Sequence, residues 1–324
     1  MIDKSFPRPR IVVSKCIEFD SCRYNGLMIA SPVVRKLEDF VDFIPVCPEV
    51  EIGLGTPREA VRLVKDGTQI KMVKSLSGDD HTKAMQDFSN KFLEGMKDLD
   101  GFILKSRSPS CGIKDVKLYT DIGKIPAINT KNMGMFGQAV LDRYGFLAIE
   151  DEGRLTNLQI REHFLTKLFT LTSFRKLEKI MKTLVEFHSN NKYLFMAYNQ
   201  TQLKIAGKIV ANHHKLPVDQ VFEQYQKVLY SIFKNGAGLK SNINVLMHIL
   251  GYFSKDLKAA EKAHFLDQLE LFRARQIPLI GVTSVLQSWV IRFEQKYLAD
   301  QTYFEPFPKE LMHVADTGKG RIIK

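Results

Sequence analysis

Four thiols dominate the reactive inventory of this sequence: Cys16, Cys22, Cys47 and Cys111. A thiolate is both a nucleophile and a soft metal ligand. No two of them form a Cys-x-x-Cys pair, so the spacing of a zinc finger is absent. All lie early in the chain, and without a secretory context they do not read as a disulfide framework. Two readings stay open on residue type alone. The thiols are unrelated and packed as small hydrophobes, or several of them meet at a metal.

The elements that carry them bear on that choice. Arg10 to Ser14, Val41 to Val46, Gly101 to Lys105 and Gly145 to Ile149 are short apolar or β-branched runs and predict strands. Pro32 to Phe40, Arg58 to Val64, His81 to Leu99 and Phe136 to Tyr144 predict helices, and Ile70 to Val73 an extended segment. Alternating strands and helices imply a doubly wound, Rossmann-like parallel sheet. Cys16 then follows the strand ending at Ser14, Cys47 the strand ending at Val46, and Cys111 the strand ending near Lys105. Loops beyond the C-terminal ends of parallel strands line the ligand crevice. Three thiolates gathered there leave one coordination position open, as a reactive site requires.

Around Glu150-Asp-Glu-Gly153 the pattern changes, which places a domain boundary between residues 1–150 and 151–324. Thr156 with Gln159 predicts a capping box for a new helix. Leu177, Ile180, Met181, Leu184, Val185 and His188 read as one apolar stripe. Helices starting at Pro217, Ser241, Asp256 and Pro278 follow, the last running to Ala299. The expected architecture is therefore α/β, with a Rossmann-like parallel-sheet domain followed by an all-α domain of about six helices.

Composition bounds the function classes. Apolar residues at 44% and charged residues at 26% fit a globular protein and exclude disorder. Met1 to Arg10 has no apolar signal region. The longest uncharged run, Gln276 to Ile291, is 16 residues and too polar to span a bilayer. A cytoplasmic protein is expected. The net charge of +11 is uneven: residues 1–150 hold 22 basic and 20 acidic side chains, and residues 151–324 hold 25 and 16. A surplus of +9 in the second part against +2 in the first suggests a polyanion-binding module beside a near-neutral one.

Three motifs in order carry a resemblance. Ser14-Lys-Cys16 with Cys22-Arg-Tyr-Asn-Gly26, Cys47-Pro-Glu49 with Gly53-Leu-Gly-Thr-Pro-Arg58, and Leu104-Lys-Ser-Arg-Ser-Pro-Ser-Cys-Gly112 together resemble the thiouracil desulfidase family over roughly residues 8–150. The second part resembles the helical domain fused to that module in tRNA 4-thiouridine desulfidases. Its cues are Arg161-Glu-His-Phe164, Phe187-His188, Lys192-Tyr193, Asn242 to Tyr252, and Gln301 leading to Pro306 and Pro308. The resemblance implies a 4Fe-4S cluster on Cys16, Cys47 and Cys111, with the fourth iron open to the substrate's sulfur. It also implies acid/base roles for Glu49 and Ser108. Lys15, Ile17, Glu18 and Phe19 depart from the small and leucine residues of simpler members around the first cysteine.

The implied activity is non-redox hydrolytic removal of sulfur from 4-thiouridine in tRNA. The partner is tRNA, with no membrane and no stable protein partner implied. Free thiouracil is the alternative substrate. An iron–sulfur RNA-binding or redox-sensing protein with Cys22 as fourth ligand, and a zinc-stabilised structural domain, are the alternatives without catalysis. Candidate phosphate contacts are Arg154, Arg161, Lys167, Arg175, Lys192, Lys215, Lys240, Arg273 and Arg275, with Tyr193 as a stacking ring. Cys22 reads as a packed thiol. Ser110 reads as a donor to cluster sulfur or as turn chemistry, Arg23 and Arg58 as phosphate contacts or as ion-pair partners of Glu49 or Glu59, His188 and His248 as core histidines, and Asn242 as a helix cap or a base contact.

Overall fold

The computed structural model describes residues 5–312. The first part runs β1 (Arg10–Ser14), α1 (Pro32–Leu37), β2 (Asp42–Val46), α2 (Pro48–Glu51), β3 (Val61–Asp66), β4 (Gln69–Lys74) and α3 (Thr82–Glu94). It continues with β5 (Gly101–Leu104), β6 (Val116–Tyr119), β7 (Asn129–Asn132), α4 (Met135–Tyr144), β8 (Ala148–Asp151) and α5 (Leu158–Arg175). Helices alone follow: α6 (Met181–Asn190), α7 (Lys192–Tyr198), α8 (Gln200–Ala211), α9 (Val218–Ile232), α10 (Leu239–Phe253), α11 (Ala259–Arg273), α12 (Leu279–Arg292) and α13 (Lys296–Ala299). This is the expected order of an α/β part and then a helical part.

The principal sheet has strand order β2-β1-β5-β8, and every pairing in it is parallel. Ile11, Val12 and Val13 of β1 and Phe102, Ile103 and Leu104 of β5 are fully buried. Strands covered on both faces lose the alternation of half-buried ones, which is why both read as continuous apolar runs. Each such side chain contributes about 1.5–3 kcal/mol relative to its exposed state. β2 carries Pro45 and lies at an edge of the sheet, where a missing N–H is tolerated.

A second, mixed sheet has the order β4-β3-β6-β7, and the sequence does not predict it. Arg58 to Val64 is no helix. Val61 and Leu63 are buried and alternate with half-buried Arg62 and Val64, the two-residue period of a strand. Asp66 pairs with Gln69 across a two-residue loop whose first member, Gly67, has φ +58°, a conformation that suits glycine in a tight hairpin. β6 turns Val116 and Leu118 inward with Lys117 outward, an alternation only four residues long, and β7 is wholly polar and shows no period.

The compact units divide after Thr172 rather than at residue 150. One ends at Thr172 and takes in the chain from Pro308; the other is Ser173–Phe307. The reason is that all but the last three residues of α5 belong to the first unit. Leu168 Cδ1 lies 3.1 Å from where a Cβ on Gly101 would sit, and Phe169 meets Phe6 edge-on at 5.8 Å. Thr156 does not cap α5; its hydroxyl donates to Gly153 O, and Asn157 Oδ1 accepts from Ile160 N at 3.2 Å instead.

Nine helices follow residue 157 among the described residues, against about six expected. The predicted helix from Pro278 to Ala299 breaks into α12 and α13 at Glu294, whose φ is +48°. The stripe from Leu177 to His188 is not one face. α6 begins only at Met181, Ile180 and Val185 are exposed, and Leu184 and Phe187 turn inward. Inside the helical unit Phe174 lies against Phe187, Phe222 and Tyr225 at 5.5–5.7 Å. His188 Nδ1 meets the Tyr225 hydroxyl at 3.1 Å, as a satisfied core histidine does. His248 is exposed, contrary to expectation. Asn242 is buried within α10, donating to Gly238 O and accepting from the Tyr303 hydroxyl, so it ties the helix start rather than capping it. No helix among the described residues is long and apolar enough to cross a membrane.

Candidate functional site

Three strand ends of the principal sheet deliver the thiols. Cys16 follows β1 by two residues, Cys47 is the residue that opens α2 after β2, and Cys111 lies in the loop after β5. Together with Cys22 they line one cavity of about 400 Å³. All four are buried. The loops are held by specific backbone bonds. Lys15 N donates to Val46 O at 2.8 Å, Ile29 N to Cys16 O at 2.8 Å, and Lys105 N to Ser14 Oγ at 2.9 Å.

The start of α4 fixes the Cys111 loop. Gly134 N donates to Gly112 O, Met135 N to Pro109 O, and Gly137 N to Ser110 O, at 2.7–3.1 Å. Helix-start amides otherwise lack partners, and here the loop carbonyls supply them. A Cβ on Gly134 would sit 2.5 Å from Ser110 O, and one on Gly137 2.5 Å from Gly112 O. Only glycine lets helix and loop approach this closely.

The polar groups beside the thiols form a chain. The Ser108 hydroxyl accepts from Cys111 N at 3.1 Å and Ser110 N at 3.3 Å, and lies 2.9 Å from Ser110 Oγ. Ser110 Oγ donates to Glu49 Oε1 at 2.6 Å. Glu49 Oε2 receives Nε and Nη2 of Arg58 at 3.0 and 2.7 Å. The Arg58 and Glu49 side chains are only 5% and 11% exposed. Arg58 Nη1 also donates to the carbonyls of Cys22 and Gly55. With both Ser108 lone pairs engaged by amides, its proton is directed to Ser110 or to a bound group.

Burial governs the thiols. It pushes Cys16 up to about 12, with the neighbouring Cys47 adding and Lys105 opposing. It pushes Cys22 up to about 12, Cys47 again adding. Cys111 is also raised by burial, against a hydrogen bond from Ser14. Lys105 is anchored by Glu152, by Ser106 Oγ at 2.7 Å and by Ser106 O at 3.0 Å, and Glu152 accepts in turn from Ser106 N at 2.8 Å.

Of the residues expected at the site, Cys16, Cys47, Cys111, Glu49 and Ser108 all meet on this cavity, and Cys22 joins them. Of the two sequence alternatives for Arg58, the structure shows the ion pair, with Glu49; the link that Ser110 makes between Ser108 and Glu49, and Glu152 behind Lys105, are not legible in the sequence. Ser110 and Arg58 stand inside the cysteine motifs, but their bonds join positions 61 and 9 residues apart.

The expected nucleic-acid contacts divide. Arg161 is buried, with Nη1 donating to Leu155 O at 2.8 Å and Thr156 O at 3.2 Å, so it clasps the start of α5 instead of lying on the surface. Tyr193 is buried as well, its hydroxyl donating to Tyr252 at 3.1 Å, and offers no stacking face to an extruded base. Arg154 pairs with Glu150 at 2.7 Å. Lys167 is half-buried and drawn down to about 8 by burial, and Arg175 is half-buried. Lys192, Arg273 and Arg275 are exposed, Arg273 pairing with Glu270 at 2.9 Å. The helical unit, Ser173–Phe307, holds 18 basic and 11 acidic side chains.

Comparison with known proteins finds a separate match for each part of the chain. A family model described as 2-thiouracil desulfurase matches residues 11–152, and one described as a protein of unknown function, DUF1722, matches residues 192–308. The chain is 37% identical over 111 residues to the uncharacterized protein YbbK of Bacillus subtilis (strain 168), covering 32% of this chain and 72% of that protein. It is 26% identical over 149 residues to the uncharacterized protein YbgA of Escherichia coli (strain K12), covering 45% of this chain and 88% of that protein. Among solved structures it is similar to the 4Fe-4S-dependent thiouracil desulfidase TudS. The identity is 27% and the TM-score 0.35, over 46% of this chain and 93% of that one.

Proposed function

Because the chain belongs over residues 11–152 to the 2-thiouracil desulfurase family, we propose that it removes sulfur from 4-thiouridine in tRNA, giving uridine and hydrogen sulfide. The observation that carries this reading is the meeting of three buried thiols with the Ser108–Ser110–Glu49–Arg58 chain on one cavity.

The donor set fits the 4Fe-4S cluster that the cysteine motifs imply. Among the described residues no three His, Cys, Asp or Glu side chains are gathered closely enough to hold a single metal ion. Thiols from three loops around about 400 Å³ suit a larger group. Cys16, Cys47 and Cys111 would hold it, exchanging thiol protons for metal, since a coordinating thiol is deprotonated. When bound, the cluster supplies an open iron, a soft Lewis acid matched to a thiocarbonyl sulfur.

The overall change is balanced without redox: the thiocarbonyl carbon gains oxygen from one water and releases one hydrogen sulfide. Glu49 accepts a proton from the attacking water, directly or through Ser108 and Ser110. The same chain returns a proton to the departing sulfur. Arg58 keeps the Glu49 carboxylate oriented and charged-partnered while it waits. The positive helical unit supports a polynucleotide substrate, since phosphates supply most of the affinity in such complexes.

A second reading has its own observation. Cys22 stands on the same wall, so a closed, four-thiolate, non-catalytic cluster is the rival. The deciding experiment is anaerobic incubation of the iron-loaded protein with 4-thiouridine-containing tRNA, followed by nucleoside and sulfide analysis. Loss of 4-thiouridine with matching uridine and sulfide is expected. Turnover of free thiouracil without turnover of tRNA assigns the free base as substrate. Turnover of neither, with iron lost in Cys22→Ser, assigns the closed cluster.

A further inference from the structure

Four serines line the cavity wall: Ser14, Ser106, Ser108 and Ser110. A hydroxyl has one proton to give, so each can be assigned an acceptor. Ser106 Oγ donates to Glu152 Oε1 at 2.8 Å. Ser110 Oγ has two acceptors in reach, Glu49 Oε1 at 2.6 Å and Cys111 Sγ at 3.8 Å, and the short bond to the carboxylate takes the proton. The Ser108 hydroxyl lies 2.9 Å from Ser110 Oγ and gives its proton there or to a bound group. Ser14 stands outside this chain of bonds.

Ser14 ends β1 and is buried, with 1% of its surface exposed. Its hydroxyl oxygen accepts from Lys105 N at 2.9 Å, which turns the proton away from Lys105. Among the described residues no oxygen accepts that proton. A buried hydroxyl left without an acceptor is costly. Sulfur fills the need: the Ser14 hydroxyl donates to Cys111, which is itself buried. The donor is rigidly held. Val12 and Val13 of β1 pair with Phe102 and Ile103 of β5, and all four are fully buried. Ser14 and Lys105 follow directly from that pairing, so the hydroxyl is set by the centre of the sheet and not by a loop.

We propose that Ser14 is a positioning residue for the iron–sulfur cluster: its hydroxyl donates to the Cys111 thiolate and sets how much charge that ligand gives to iron. The role deepens the desulfidase reading above and rests on its three-cysteine cluster. A thiolate accepts a hydrogen bond more strongly than a thiol, so the bond tightens when Cys111 exchanges its proton for iron. A donor to a ligating sulfur draws charge away from the metal, favours the reduced cluster and raises its potential. It also leaves the open iron a stronger Lewis acid toward a thiocarbonyl sulfur. Ser14 touches neither substrate nor the reacting atoms and acts through Cys111 alone.

The test uses the full chain loaded with iron anaerobically, and the variants Ser14→Ala and Ser14→Thr. The quantity read is the reduction potential of the cluster. Ser14→Ala should move it negative, the equilibrium constant for reduction falling about tenfold, or about 59 mV for a one-electron couple. Ser14→Thr keeps the hydroxyl on a side chain that suits a strand and should restore the wild-type potential. Turnover per iron should fall in Ser14→Ala and recover in Ser14→Thr. A merely structural role, through the bond from Lys105 N, would lower Tm and leave the potential in place. An unchanged potential in folded Ser14→Ala overturns the proposal, as does a folded Ser14→Thr that behaves like Ser14→Ala. If either variant does not fold, the wild type decides. Its iron–sulfur stretching bands in resonance Raman spectra should shift between H2O and D2O, and bands that do not move overturn the proposal. The two readings fail separately. Potentials that shift as expected in a protein that desulfurates neither 4-thiouridine nor thiouracil keep the Ser14 role and sink the desulfidase reading. Turnover with unchanged potentials does the reverse. A chain that takes up no cluster overturns both.

Discussion

Glu49 and Arg58 place opposite charges nearly out of water, joined by two bonds of 3.0 and 2.7 Å. A buried pair stabilises little as a pair, but removing one member strands the other. Arg58→Met should therefore lower stability by about 3–5 kcal/mol in denaturant unfolding. Glu49→Gln keeps the shape but leaves Arg58 buried without its counter-charge, so it too should lose stability, while retaining iron and losing about 10²-fold or more in turnover per iron. Ser110→Ala should show a loss of similar order although Ser108 is intact, because Ser110 Oγ is the group that joins Ser108 to Glu49. Normal turnover by Ser110→Ala would separate Ser108 from Glu49 in mechanism. Single Cys16→Ala, Cys47→Ala or Cys111→Ala changes should abolish iron binding. Cys22→Ser should retain it, as measured by iron content and visible absorbance.

At the scale of elements, the site depends on how closely α4 approaches the Cys111 loop. Gly137→Ala would force its new Cβ against Gly112 O and Cys111 O, at 2.5 and 2.8 Å. Overpacking of this kind costs about 1–3 kcal/mol. The loop is the softer partner, so the visible consequence should be weakened iron retention beyond the loss of Tm. α5 makes a separate prediction. Burial, with Lys167 adding, lowers His163 from 6.5 to about 4. The unfolded chain then takes up a proton that the folded chain refuses. Stability is full above pH 6.5 and falls by about 2–3 kcal/mol as pH drops from 6.5 to 4. His163→Gln should flatten that part of the stability profile relative to wild type, and an unchanged slope would contradict the assignment.

At the scale of the whole molecule, the charge surplus is the property by which the proposed tRNA substrate can be tested. The surplus of +9 over residues 151–324 includes +7 within Ser173–Phe307. Arg161 and Tyr193 are withdrawn from that surface, while Lys192, Arg273 and Arg275 remain on it. Binding of tRNA by the intact chain should weaken steeply with salt, with a log–log slope of magnitude about 4 or more if several phosphates are neutralised. A flat salt response would show that the surplus serves only as a solvated surface. Turnover of free thiouracil should respond little to salt, because an uncharged base releases no counterions.

Much of this was legible along the chain, and the reason is local. β1 and β5 are buried on both faces, so their apolar runs announce central parallel strands, and the cysteines that follow are then placed at the crevice by topology alone. The cysteine motifs likewise carry the family resemblance within contiguous residues. Other features leave no local trace. The strand Val61–Asp66 mixes arginine, lysine and apolar residues and becomes a strand only by pairing with β4 and β6. The boundary at Thr172 is set by where α5 packs, whereas composition changes earlier, at the end of β8. The sequence by itself determined which residue types exist and the order of elements that brings three thiols to one edge. Only the tertiary structure decided that Ser110 joins Ser108 to Glu49, that Arg58 holds that carboxylate, and that Arg23 and Arg107 line the cavity with no ion-pair partner among the described residues. Those relations cross 9, 61 and 84 positions of chain and depend on packing between loops, which no periodicity within a segment encodes.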